Sequence, residues 1–205
     1  MNTTLHWTQV YQTKAVDEVS WYQERPELSL AFIDQAHIAR DAAIIDVGAG
    51  ASTLVDHLVA SGYTDITLLD LSEAALNTAR ARLGAVAAQL KCLVGDITSI
   101  ALPQHRYDLW HDRAVFHFLT DPVQQERYVA QVRHAVKPGG HVIMATFAPD
   151  GPEQCSGLTT ARYDAQTLHS IFGSGFELLS STHEAHVTPW GNQQKFVYCY
   201  CRKEA

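Results

Sequence analysis

The chain predicts a doubly wound α/β fold: a mostly parallel, seven-stranded sheet ending in an antiparallel C-terminal hairpin. Three observations carry that expectation. Short apolar runs alternate with helix-length segments through most of the sequence, the pattern of a parallel sheet with helices on both faces. The first run, Ala43–Val47, feeds straight into Gly48-Ala49-Gly50 and then into a helical segment. The last two runs, Phe176–Val187 and Lys195–Cys201, are joined through Pro189-Trp190-Gly191-Asn192, where no helix fits, so they must pair antiparallel.

The elements follow in order. Residues 1–40 form a polar-aromatic extension containing Trp7, Tyr11, Trp21 and Tyr22. Within it, Pro26 to Arg40 reads as a helix with Leu28, Leu30, Ile33 and Ile38 among its apolar members. The extension either packs on the domain or serves as a lid over a ligand; residues 41–205 make the domain itself. Ala43–Val47 is too short for a helix and rich in β-branched residues, hence a buried strand. Ser52 or Thr53 can cap the next helix, whose apolar positions are Leu54, Val55, Leu58 and Val59. Ile66–Leu69 is a second strand ending at Asp70, after which Ser72 caps a helix to about Leu83, with Gly84 as its stop. Gln89–Val94 and Tyr107–His111 are the third and fourth strands. Asp121-Pro122 opens a helix through Ala135, with proline in its first turn. Lys137-Pro138-Gly139-Gly140 turns into a strand at His141–Phe147, and a loop at Ala148–Gly157 leads to a helix at Asp164–Phe172.

Composition narrows the function. A chain of 205 residues with 46% hydrophobic and 18% charged content suits one globular domain. Its formal charge of −7 disfavours general affinity for nucleic acid or anionic membrane. No N-terminal signal pattern and no apolar run of membrane-spanning length is evident. Cys92, Cys155, Cys199 and Cys201 have no CxxC spacing and read as reduced thiols, which fits the cytoplasm. The eleven histidines, including the His183-Glu184-Ala185-His186 run, lack the spacing of a metal site, so no metal is expected.

The glycine turn and Asp70 carry the first chemistry. Strand, glycine turn and helix form half of a nucleotide-binding unit, although the same turn could be a plain connection. Asp70 stands 20 residues after Gly50, at the tip of the second strand, where a carboxylate can accept both hydroxyls of a ribose. Thr53 stands where a dinucleotide fingerprint needs its third glycine. A nucleoside ligand without a pyrophosphate is therefore expected.

At this point the sequence resembles class I S-adenosylmethionine-dependent methyltransferases, which are Rossmann-like. The ordered motifs are DVGAG at Asp46–Gly50, LLDLS at Leu68–Ser72, GDI at Gly95–Ile97, YDLWHDRAVFHFL at Tyr107–Leu119 and VKPGG at Val136–Gly140. The resemblance implies that Asp46, Gly48 and Gly50 line the methionine end of the cofactor S-adenosylmethionine, whose product is S-adenosylhomocysteine. It implies that Asp70 binds the ribose beside Leu71, and that Asp96 takes the adenine amino group with Ile97 against the ring. His111 would stand near the reacting centre. The lead-in HWTQVYQTKAVDEVSWYQ is similar to a subgroup holding thiol and thiopurine methyltransferases and some protein-lysine methyltransferases. In that pattern Tyr11 and Trp21 help close the cofactor site.

Methyl transfer needs alignment, exclusion of water and a deprotonated nucleophile more than it needs acid–base groups. Trp21, Tyr22, Trp110, Phe116, Phe147 and Trp190 are the candidate aromatic wall. His111-Asp112-Arg113 resembles the D-R-G-A stretch of thiopurine methyltransferases, with Ala114 in the glycine position. Arg113 beside the pocket would stabilise a thiolate. Alternatively Asp112 and Arg113 pair with each other or anchor the N-terminal segment. His117, four residues after Arg113, is a possible proton acceptor on a shared helical face, or a satisfied core histidine. The expected function is therefore methyl transfer to a small thiol- or sulfide-type acceptor, with Arg113, Asp112 and His117 as catalytic candidates. A protein-lysine methyltransferase is the alternative within the fold. An NAD-dependent oxidoreductase and a non-catalytic cofactor-binding protein are the alternatives outside it.

Overall fold

The computed structural model describes residues 3–204, leaving the ends of the two sequence-defined segments, Met1, Asn2 and Ala205, outside it. The element order is α1 (Thr3–Thr13), α2 (Glu27–Gln35), β1 (Ala43–Val47), α3 (Leu54–Ala60), β2 (Asp65–Asp70), α4 (Glu73–Leu83), β3 (Lys91–Val94), β4 (Tyr107–Arg113), α5 (Pro122–Ala135) and β5 (Val136–Phe147). A two-stranded ribbon, β6 (Gln154–Cys155) and β7 (Leu158–Thr159), precedes α6 (Ala165–Phe172), β8 (Phe176–Val187) and β9 (Gln193–Lys203). Among the described residues the main sheet has seven strands in the order β3-β2-β1-β4-β5-β9-β8. The first five are mutually parallel, and β9 runs antiparallel between β5 and β8. This is the doubly wound sheet with a terminal hairpin that the sequence predicts.

Successive residues of the central strands enter opposite cores, as the pleat requires. Ile45, Trp110 and Met144 pack with Tyr128, Val132 and Phe172 from α5 and α6. Ile44, Leu109 and Ile143 pack with Ile33, Leu54 and Leu76 from α2, α3 and α4 on the other face. Burial on both faces explains why these strands read as continuous apolar runs. Ser72 Oγ caps α4 by accepting from Ala75 N–H, and Asp121 caps α5 by accepting from Val123 N–H. The N-cap of α3, Thr53, makes no side-chain cap bond, and the preceding Ser52 Oγ accepts from Leu54 N–H at 3.1 Å.

Several local expectations are corrected. The extension holds a helix, α1, that its sparse apolar pattern conceals; Val10 is its buried residue. Helix α2 stops at Gln35 rather than Arg40, because His37 adopts a positive φ of 49° that ends the helical path. Strand β5 starts at Val136: the Lys137–Gly140 turn is a bulge inside the strand, between the pairs Tyr107–Val136 and Leu109–His141. Strand β4 continues to Arg113, and residues 116–118 form a short 3-10 turn, so Arg113 and His117 share no helical face.

Candidate functional site

The strand order reverses between β1 and β4, and open α/β sheets bind ligands at the carboxyl edge of such a switch point. Gly48 and Gly50 turn there with φ of +65° and +54°. Neither position has room for a side chain. A Cβ on Gly48 would lie 1.9 Å from Val115 Cγ2, and one on Gly50 would lie 2.3 Å from the Tyr11 hydroxyl.

The carboxylates follow on successive strands. Asp70 ends β2 and accepts from Gly50 N–H at 2.9 Å and Ser72 N–H at 2.7 Å, one bond to each oxygen. Each oxygen keeps a further lone pair for a hydroxyl. Burial, reinforced by Asp46, outweighs these bonds and pushes the Asp70 carboxyl up to about 6. Asp96, past β3, accepts from Thr98 N–H and Oγ–H at 2.8 Å, both on Oδ1. Asp46 on β1 pairs with His111 Nδ1 at 2.7 Å, and His111 Nε2 meets Ser29 Oγ at 2.8 Å.

Two adjoining chambers open on this edge, sharing Tyr11, Trp21, Gly48 and Arg113 as walls. The larger, of about 170 Å³, is lined by Asp70, Leu71, Asp96 and Ile97 on the sheet side and by Trp7, Phe118 and Cys155 opposite. The smaller, of about 50 Å³, is lined by Asp46, His111 and Ser29. Trp7 packs edge-on against both Trp21 and Phe118, with centroids 5.7 and 5.1 Å away. Of the aromatic wall expected from sequence, Trp21 and Tyr22 line chambers. Trp110, Phe116 and Phe147 are instead buried in the cores, and Trp190 is 58% exposed on the β8–β9 connection. Trp7 and Phe118 take their place.

The HDR run divides its labour. Arg113 donates from Nε to the Tyr198 hydroxyl at 3.0 Å, from Nη1 to the Trp21 carbonyl at 3.1 Å and from Nη2 to Glu184 at 3.1 Å. Burial works against its charge, but Tyr198 and Glu184 more than offset that and hold its pKa above the ordinary arginine value. Arg113 thus fastens the N-terminal segment while lining both chambers. Asp112 points elsewhere: it accepts from the Tyr128 hydroxyl at 2.6 Å and from Val115 N–H at 3.0 Å. Those bonds fix the turn at Ala114, whose φ is +70°. Burial raises the Asp112 carboxyl to about 6.

His117 is fully buried against Phe147 and Phe118, and its Nδ1 accepts from Phe147 N–H at 3.3 Å. Burial, assisted by Arg113, drives its pKa to about 3, so the ring is neutral. Neither Asp112 nor His117 lines a chamber. His117, expected as a possible proton acceptor, is a core histidine here, and Asp112, expected as a catalytic candidate or a partner of Arg113, anchors a turn.

Sequence reading missed the fasteners. Glu184 accepts from Gln23 Nε2 at 2.7 Å, His186 Nε2 meets the Ser20 carbonyl at 2.7 Å, and Thr53 donates to the Gln23 carbonyl at 2.8 Å. The HEAH run is thus half of a clasp on residues 20–23, and among the described residues no group of three His, Cys, Asp or Glu converges as a metal site. Ser29 could have been found as a polar residue on the apolar face of its helix; Tyr198 carries no comparable signal.

The donor set fits an adenosyl group. Asp70 offers paired acceptors for ribose hydroxyls, Leu71 and Ile97 offer apolar flanks, and Asp96 offers an acceptor beside them. The start of α3 is covered by residues 23–24 through Thr53 and His57, with His57 Nε2 3.1 Å from the Glu24 carbonyl. That covering suits a ligand without a pyrophosphate. Residues 44–140 match the Methyltransferase domain family.

The chain's matched residues are a methyltransferase domain, and its fold is that of class I S-adenosylmethionine-dependent methyltransferases.

Two sequence relatives are methyltransferases by name, and two solved structures share the fold. The enzyme is 24% identical over 170 residues to EEF1A lysine methyltransferase 2 of Danio rerio, covering 80% of this chain and 67% of that protein. It is 24% identical over 149 residues to the eEF1A lysine and N-terminal methyltransferase of Mus musculus, of which it spans only 21%. In fold it resembles a structure from work on conversion of a disulfide bond into a thioacetal group during echinomycin biosynthesis. That match has a TM-score of 0.78 and 19% identity, over 99% of this chain and 93% of the other. The Burkholderia thailandensis 1,6-didemethyltoxoflavin-N1-methyltransferase with bound S-adenosylhomocysteine gives a TM-score of 0.72 and 17% identity, over 99% and 88%.

Proposed function

We propose that this methyltransferase acts on a small nucleophile, preferentially a thiol or sulfide, admitted to the larger chamber between Trp7, Phe118 and Cys155. The observation that carries the reading is the clasped N-terminal segment. Five side-chain contacts, from Arg113, Glu184, His186, Thr53 and His57, hold residues 20–24 over the chambers. A cover of that kind favours a small acceptor over a folded protein surface. Bound S-adenosylmethionine supplies an electrophilic methyl on a sulfonium.

The residues divide as follows. Asp70, Asp96, Leu71 and Ile97 hold the adenosine, with Asp46, Gly48, Gly50 and His111 at the amino-acid end and Tyr11 and Trp21 closing over it. Arg113 spends three of its five N–H groups on the contacts above, leaving two for an acceptor. Its charge lowers the pKa of a bound thiol and so raises the thiolate fraction. Asp112 supports that role indirectly by fixing the Ala114 turn. Trp7, Trp21 and Phe118 exclude water from a reaction in which charge is dispersed. In this reading residues 1–40 are the lid and residues 41–205 the domain, and the four free thiols suit the cytoplasm. The structural neighbour from echinomycin biosynthesis, which concerns sulfur chemistry, is in keeping with a sulfur acceptor.

The test is turnover. Purified protein with S-adenosylmethionine should release S-adenosylhomocysteine on addition of sulfide, methanethiol or aryl thiols; no product across that panel would remove the proposal. A second reading, protein-lysine methylation, is favoured by the two eEF1A-directed relatives. Radiolabelled donor incubated with lysate would label a protein band under that reading and not under the first.

A further inference from the structure

A line of buried polar groups joins Asp46 to Arg113 through two residues, Ser29 and Tyr198, that the chemistry above does not use. It runs from Asp46 to His111 Nδ1 at 2.7 Å, and from His111 Nε2 to Ser29 Oγ at 2.8 Å. It continues to the Tyr198 hydroxyl at 3.4 Å and ends at Arg113 Nε, 3.0 Å further on. All five side chains are buried or nearly so, and they come from β1, β4, α2 and β9.

The groups at the two ends constrain the direction of the protons. Arg113 can only donate, so the Tyr198 oxygen accepts. The Tyr198 proton has two acceptors, Ser29 Oγ at 3.4 Å and Glu184 at 3.5 Å. When it goes to Ser29, Ser29 donates to His111 Nε2 and His111 Nδ1–H to the Asp46 carboxylate. In that arrangement every proton points from the guanidinium toward the Asp46 carboxylate. Bonds aligned in this way polarise one another.

The two ends do different work. Asp46 lines the smaller chamber, whereas Arg113 grips the Trp21 carbonyl and, with Glu184, the Gln23 side chain. We infer that Ser29 and Tyr198 are positioning residues, which couple the fastening of residues 20–24 to the setting of Asp46 and His111 at the donor's amino-acid end. Occupation of the smaller chamber then tightens the clasp, and a fastened clasp strengthens donor binding by the same factor. This rests on assigning the smaller chamber to that end of the donor.

The experiment uses the full chain and S-adenosylhomocysteine. Tyr198→Phe removes the hydroxyl but keeps the ring stacked on Phe32; Ser29→Ala breaks the same line with a smaller change. Each should lower affinity by calorimetry about fivefold to tenfold. Each should also reduce the amide-exchange protection that the ligand confers on residues 16–25. The double variant should lose no more than the weaker-binding single, since one broken link interrupts the line. Wild-type affinity in both variants, or losses that multiply in the double variant, would overturn the inference. A wild-type protein that does not bind the ligand would instead overturn the donor assignment beneath it.

Discussion

Lowering the pH should release the cofactor through Asp70. This carboxylate is 8% exposed, and burial raises its pKa from 3.8 to about 6 in spite of the backbone N–H groups of Ser72, Gly50 and Leu71. Only the ionised form offers both oxygens as acceptors to a ribose while keeping Gly50 and Ser72 satisfied. Binding therefore favours the ionised form, and affinity is constant above pH 7 and falls as pH drops through 6. With a single site of pKa about 6, about nine-tenths of the protein is protonated at pH 5. The dissociation constant for S-adenosylhomocysteine then rises about tenfold between pH 7.5 and pH 5. Calorimetric titration at constant ionic strength measures this directly. Asp70→Asn supplies the control: it should bind about 1–3 kcal/mol more weakly at pH 7.5, with no titration near 6. A flat wild-type profile, or one that Asp70→Asn reproduces, would refute the reasoning.

Other outcomes follow from the same geometry. Asp112 is held in the fold with its pKa raised from 3.8 to about 6, so its contribution to stability is full below 3.8 and lost as pH rises through 6. Asp112→Asn should therefore gain about 2–3 kcal/mol on the wild type between pH 4 and pH 7.5, measured by urea unfolding. Arg113→Ala removes a guanidinium that grips Trp21 and leaves Glu184 without its ion-pair partner, so turnover and donor affinity should both fall at least about tenfold. A loss confined to turnover, by steady-state kinetics beside calorimetry, would show that Arg113 serves the acceptor alone. Gly50→Ala forces a side chain toward the Tyr11 hydroxyl at positive φ and should weaken donor binding about tenfold or more by the same calorimetry, with a lower melting temperature.

Much of this molecule is legible in its sequence because strands buried on both faces leave continuous apolar runs. Ala43–Val47 and Phe176–Val187 coincide with their strands to the residue. The glycines and the acids at the strand tips were equally readable, since turn conformation and strand ends constrain residue type locally. Long-range contacts were not. Glu184 and Arg113 are 71 residues apart, and nothing in the HEAH run distinguishes a clasp from a solvated strand face. Helix α1 escaped notice because it buries little apolar surface; its Trp7 and Tyr11 face a chamber rather than a core. His117 misled for the opposite reason. Its spacing from Arg113 has meaning only on a helix, and the backbone there is a strand end followed by a tight turn.

A crystal structure of the protein grown with S-adenosylhomocysteine is the measurement closest to the central assignment. Density is expected with the ribose on Asp70, the adenine between Leu71 and Ile97 with its amino group toward Asp96, and the amino-acid end beside Asp46 and Gly48. Density in the separate surface groove bordered by Thr98, Arg127 and His134, with both chambers left empty, would contradict it.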